Sequence, residues 1–226
     1  MELYTSEGCS SCPPAEAWLS KLKNAPGLWT NFVPVAFHVA YWNHLGWRDI
    51  LSDEQFSARQ QSYAELWSAE NIYTPEFVLN GKEWNNWLGF RGAPSASEIK
   101  PGVLRVTSND GKHWQATFSP LENNHADYEI SVAVLISDSG TDVKAGENAG
   151  RHLQHDFAAL SLVTFPLASQ TNTGTFVIDT HTKGISGRLA LAVWVTRAGK
   201  LEPLQTTGGW LPKTEGSSHP QGAASN

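Results

Sequence analysis

Two cysteines, and only two, stand in this 226-residue chain, and they fall in one short stretch, Glu2-Leu3-Tyr4-Thr5-Ser6-Glu7-Gly8-Cys9-Ser10-Ser11-Cys12-Pro13-Pro14. A strand-like run leads into a glycine, the thiols follow at C-x-x-C spacing, and an apolar-periodic helix begins directly after them. Two intervening residues let both sulfurs lie in one turn, where they can close into a small ring and reopen. That context reads as a thiol-redox motif. Two blander readings stand beside it, a static local disulfide and half of a metal site. Zinc normally takes four ligands, and the chain has no second C-x-x-C.

Along the first hundred residues the pattern alternates strand and helix. Ala15, Trp18, Leu19 and Leu22 recur at helical spacing. Pro13 and Pro14 fix the helix start, where a missing N–H costs nothing, so Cys12 is expected near the N-cap. A second strand is expected over 32–39. The aromatic segment Tyr41-Trp42-Asn43-His44-Leu45-Gly46-Trp47-Arg48-Asp49 is too polar and irregular for a strand. Ser52 and Gln55 have capping-box spacing and open a helix through about Glu70, with Phe56, Tyr63, Leu66 and Trp67 inward. Thr74-Pro75 precedes a strand at 76–79, and Asn80-Gly81 is a two-residue hairpin turn. The partner strand is expected from Lys82 to Phe90, and a short helix over 95–99.

Character changes near Pro101-Gly102. Strands are expected at 103–108, 113–119, 127–137, 161–167, 174–180, 188–197 and 200–206, with turns at Asn109-Asp110-Gly111 and Arg197-Ala198-Gly199-Lys200. Short strands with regular turn signals argue for an antiparallel β-sandwich. The expected class is therefore α+β. Residues 1–100 form an α/β domain carrying the C-x-x-C, 101–212 a β-sandwich domain, and 213–226 a disordered tail rich in Gly, Ser and Ala.

Composition excludes several classes. A formal charge of −6 gives no electrostatic case for nucleic acid or an anionic membrane. Hydrophobic content of 40% with 17% charged residues is that of an ordinary globule. No apolar run is long enough to span a bilayer as a helix. Ten tryptophans are many for this length and are expected in the core or between domains. No signal peptide is expected in this sequence, because Met1 sits directly against a strand already under way, as in a chain trimmed of its natural N-terminus.

The order of strand, C-x-x-C helix, strand, helix and hairpin, with Thr74-Pro75 leading into a strand, resembles the thioredoxin superfamily. A closer resemblance is to the thioredoxin-like proteins grouped as domain of unknown function 1223, usually bacterial and usually exported. The matching stretches are Glu2 to Ala15, Phe37-His38-Val39, Tyr41-Trp42, Leu45-Gly46-Trp47, Tyr73-Thr74-Pro75 and Gly146-Glu147-Asn148-Ala149-Gly150-Arg151. The chain departs from the family at Ala40 and Asn43, where acidic residues are common. The resemblance implies a periplasmic or secreted protein and a cis Pro75 against the cysteine pair.

In thiol–disulfide exchange one thiolate attacks and a second resolves the mixed disulfide. Cys9 precedes the helix and is expected nearer the surface as the attacker, with Cys12 the buried resolver. A helix N-terminus lowers a thiol pKa. Glu7 opposes this if it points inward, and Ser10 and Ser11 can offset it through their hydroxyls. Thr74 and Pro75 are expected to present backbone to an extended peptide. His38 and His44 flank the aromatic segment, His38 as a possible modulator. His152 and His155 face opposite ways on a strand, which argues against a metal pair. Arg151 beside Glu147 reads as a loop anchor. The leading function is a reductase or isomerase of protein disulfides, with a protein or peptide client, a separate redox partner and no cofactor or metal. The alternative is a non-enzymatic binding module, or a Cu(I)-binding protein using the same thiols.

Overall fold

The computed structural model describes residues 1–89, 92–96, 98–122, 126–180, 182 and 184–212. Its elements in chain order are β1 (Glu2–Thr5), α1 (Pro13–Lys21), β2 (Val35–His38), α2 (Glu54–Trp67), β3 (Glu76–Leu79) and β4 (Lys82–Glu83). Then come β5 (Gly102–Ser108), β6 (His113–Pro120), β7 (Tyr128–Ser137), β8 (Ser139–Asp142), β9 (His152–His155), β10 (Ala158–Pro166), β11 (Thr173–Val177), β12 (Arg188–Arg197) and β13 (Gln205–Trp210). The fold is α+β, mostly sheet, and the described residues form two α-helices and short 3₁₀ turns at Leu22–Asn24, Ala40–Leu45 and Asn85–Gly89.

One eight-stranded sheet organises both halves, in the order β13-β12-β7-β10-β2-β1-β3-β4. Its two halves meet where β10 runs parallel to β2 at Ala158 and Ala36, with the Ala36 amide donating to the Phe157 carbonyl at 2.8 Å. Strands from before and after Pro101 thus share one hydrogen-bonded sheet. A three-stranded sheet, β11-β6-β5, and the β8-β9 hairpin complete the described strands.

β7 shows why the sheet is buried on both faces. Ala133 and Leu135 join the core that holds Leu3, Tyr4, Leu19, Phe37, Phe56 and Tyr63. Ile130, Val132 and Val134, on the opposite pleat, pack with Leu104, Ala116 and Phe118 of the smaller sheet. Its unbroken apolar run is that of a strand covered on both sides. Tryptophans fill the seams. Trp18 meets Phe77 edge-on at 5.3 Å, and Trp29 meets Trp210 of β13 at 5.3 Å.

Several local expectations are corrected. The N-cap of α2 is Asp53, whose carboxylate accepts from the Gln55 amide at 2.8 Å, whereas Ser52 donates to the Asp49 carbonyl. The carboxylate is the better acceptor, and it reaches the amide first. The helix stops at Trp67 because Ser68 turns left-handed, and Leu66 is left 57% exposed. β4 is only two residues long, the described residues of 95–99 form no helix, and the last strand lies at Gln205–Trp210. The β8-β9 hairpin escapes sequence patterning because its strands are four residues each and polar. Phe90 and the tail from 213 lie outside the described residues.

Candidate functional site

The parallel register of β1 and β2 sets Thr5 opposite His38, so both strands deliver polar side chains to the same end of the sheet. Beyond Thr5 the chain turns, with the Gly8 amide donating to Ser6 Oγ and the Cys9 amide to the Ser6 carbonyl, both at 3.1 Å. Gly8 sits in close quarters there: a Cβ would stand 3.1 Å from Cβ of Trp42, which would have to give way by a few tenths of an ångström. Cys12 is the N-cap of α1 and Pro13 and Pro14 occupy its first positions, as the sequence implies. Cys9 and Cys12 form a disulfide with Cα atoms 5.4 Å apart, and Sγ of Cys9 lies 3.4 Å from Oγ of Ser11.

Both cysteines are fully buried, which corrects the expectation of a surface Cys9. The loop between β8 and β9, far along the chain, is hydrogen-bonded to this turn. Asn148, itself buried, donates through Nδ2 to the carbonyls of Glu7 (2.8 Å) and Cys9 (3.0 Å). The Ser10 amide donates to Glu147 at 3.1 Å, and the Ser10 side chain and then this amide hold that carboxyl below its usual range. Arg151 pairs with Asn148 Oδ1 at 2.7 Å, so the expected Arg151–Glu147 anchor is divided between two partners. Ser10 and Ser11 remain exposed.

Replacing Asn148 by Ala removes the side-chain donor that reaches both carbonyls. We expect a stability loss of about 1–3 kcal/mol, the usual cost of stranding buried acceptors, and faster reduction of the disulfide by a small phosphine. A denaturant melt and a thiol-reactive dye measure the two effects.

Thr74-Pro75 is a cis peptide. Thr74 Oγ1 accepts from Trp42 Nε1 at 2.8 Å, which ties the Thr74-Pro75 segment to the residue whose Cβ and carbonyl lie beside Gly8. His44 is exposed and bonds only the Tyr41 carbonyl among its described contacts.

Behind the disulfide turn lies a buried set of charged groups that the sequence reading largely missed. Glu7, Glu16, His38, Asp49 and His155 are all below 9% exposed. His155 bridges the residues flanking the cysteine pair, with Nδ1 at 2.7 Å from Glu16 and Nε2 at 3.1 Å from Glu7. Trp47 Nε1 donates to the other Glu7 oxygen at 2.6 Å, and Thr5 Oγ1 donates to Glu16 at 2.6 Å. Asp49 accepts from His38 Nδ1 at 2.7 Å and from the amides of Glu7 and Leu51 at 2.9 Å. The two imidazoles meet edge-on at 5.0 Å.

Burial alone would lower the pKa of His155, but Glu16 and then Glu7 outweigh it and raise the pKa to about 10. Burial likewise opposes the charge on Glu16, yet His155 holds that carboxyl below its ordinary range. Asp49 is held low by His38 against the same penalty, and His38 is raised in return. His152 faces solvent and pairs with Asp142, so the two histidines of β9 do point opposite ways. The signal for His155 was that alternation; its partners Glu7 and Glu16, and Asp49 on His38, are scattered and carry none.

The chain matches, over residues 1–196, the model of a family described as protein of unknown function, DUF1223. A crystal structure of a protein from Agrobacterium tumefaciens is similar, with a TM-score of 0.62, 21% identity and 96% of each chain covered. At that identity the likeness speaks for the fold alone. No curated protein matches the chain. A family model spanning the cysteine pair, the buried cluster and most of the second half leaves one conclusion: the chain belongs to the DUF1223 family.

Proposed function

We propose that this protein is a thiol–disulfide oxidoreductase that reduces or reshuffles disulfides of protein or peptide clients through Cys9 and Cys12. One observation carries the reading: five buried ionisable groups are gathered behind the disulfide turn, and His155 joins the residues on either side of it. Burying charges is expensive even when they are paired, and well-packed apolar residues commonly serve stability as well or better. A mere staple has no use for them.

In the proposed reaction the reduced Cys9 thiolate attacks a client disulfide, forming a mixed disulfide and expelling a client thiolate. The Cys12 thiolate then attacks Cys9 Sγ, releasing the second client thiol. The client gains two electrons and the pair closes; a separate thiol reductant must reopen it. Thr74 and Pro75 present backbone to the client in this reading. Because both sulfurs are covered, the Gly146–Arg151 loop shifts before a client can reach Cys9. The first hundred residues serve as a thioredoxin-like unit, the second half orients the client and covers the site, and the protein works in the periplasm or outside the cell.

The burial of both cysteines favours a second reading, a disulfide that stays closed as a staple. Insulin reduction with dithiothreitol as electron donor separates the two. Turnover above the uncatalysed rate, lost in Cys9→Ser, is expected. No turnover, with no thiol titrating in the folded protein after reductant, would establish the staple.

A further inference from the structure

We infer that Glu16, His38 and His155 form a site for a divalent zinc-type cation, distinct from the two sulfurs. One donor atom from each lies within 4.8 Å of the other two. With Nδ1 taken by Asp49, Nε2 is the nitrogen His38 can offer, and it is fully buried without a hydrogen-bond partner. Orphaned buried polar atoms are rare and costly, and a ring nitrogen left without a partner in a polar cluster is one that a metal would occupy, any proton on it leaving to solvent.

Three further observations agree. Metal-binding histidines usually donate their second N–H to a carboxylate that orients the ring. His38 has Asp49 on Nδ1, and His155 has Glu7 on Nε2, leaving His155 Nδ1 on the Glu16 side. Charge points the same way: among the ion pairs of the described residues, Glu7, Glu16 and Asp49 pair only with these two imidazoles. Three carboxylates against two histidines leave net negative charge in a buried place, which a dication offsets. The third observation is that one member of the set reaches a cavity. Glu16 lines a groove of about 350 Å³ between α1 and β9, together with Pro13, Arg151 and Gln154. Two imidazoles and one carboxylate are the donor set of catalytic zinc sites that keep a position for an exogenous ligand. On binding, the ion replaces the proton held between His155 and Glu16.

The test uses the whole oxidised chain, whose closed disulfide removes the thiols as ligands. Zinc is titrated against a chromophoric chelator, and cobalt(II) is added separately as a spectroscopic probe. One equivalent of zinc per chain is expected, with a rise in melting temperature, since a ligand of the native state stabilises it. Cobalt should give the strong visible bands of four- or five-coordination without thiolate charge transfer. His38→Asn and Glu16→Gln should lose binding, Asp49→Asn should weaken it about 10–100-fold, and His152→Ala should leave it unchanged. If the oxidised wild type takes up no metal, or if binding survives both His38→Asn and Glu16→Gln, the site does not exist. The wild-type cobalt spectrum decides the matter even where a variant fails to fold.

Discussion

Replacing His155 by alanine is expected to destabilise the protein by about 3–5 kcal/mol, because it strands Glu7 and Glu16 as buried carboxylates without a counter-charge. Each now spends one oxygen on His155, while the others are taken by Trp47 and Thr5. The double replacement Glu16→Gln with His155→Gln should recover much of the loss, since it removes charge together with its partner. The pH dependence in the presence of a chelator has a definite sign. His155 is raised from an ordinary 6.5 to about 10, so its stabilising share is full below 6.5 and disappears as pH climbs through about 10. Glu16 and Asp49 are lowered, so their share is present above their ordinary values of 4.5 and 3.8 and is lost as the solution turns acid. Urea melts across pH measure both limbs. A flat profile above neutrality would show that His155 is not held as an imidazolium.

Cys9→Ser is expected to abolish exchange with a client altogether, whereas Cys12→Ser should trap it. Without Cys9 there is no attacking sulfur; without Cys12 the mixed disulfide forms and nothing resolves it. Mass spectrometry after challenge with a disulfide substrate reads the adduct directly. Accumulation in Cys9→Ser but not in Cys12→Ser would reverse the two roles. Burial of both sulfurs makes the assignment a real question, because exposure does not distinguish them.

What was legible in the sequence followed local chemistry. Cys12 at the N-cap with prolines behind it, the Asn80-Gly81 turn and the long apolar strands β7 and β12 are set by nearest neighbours, and the structure has them. The sheet that unites both halves was not legible, because a parallel bridge between Ala36 and Ala158 leaves no mark in either segment. The site divides the same way. The cysteines announce themselves, whereas Asp49, Glu16 and His155 look like ordinary polar residues until β2, α1 and β9 converge on them. Asn148 belongs with these, since its two bonds cross about 140 residues of chain. Non-local partners of this kind carry no sequence period, so patterning cannot find them.

The most direct test of the redox account is an equilibrium titration of the native protein in a glutathione series, trapped by alkylation and followed in parallel by near-ultraviolet circular dichroism. The account predicts that Cys9 and Cys12 interconvert reversibly between disulfide and dithiol while the aromatic signal of the folded protein persists. A pair that stays closed until the protein unfolds would contradict it.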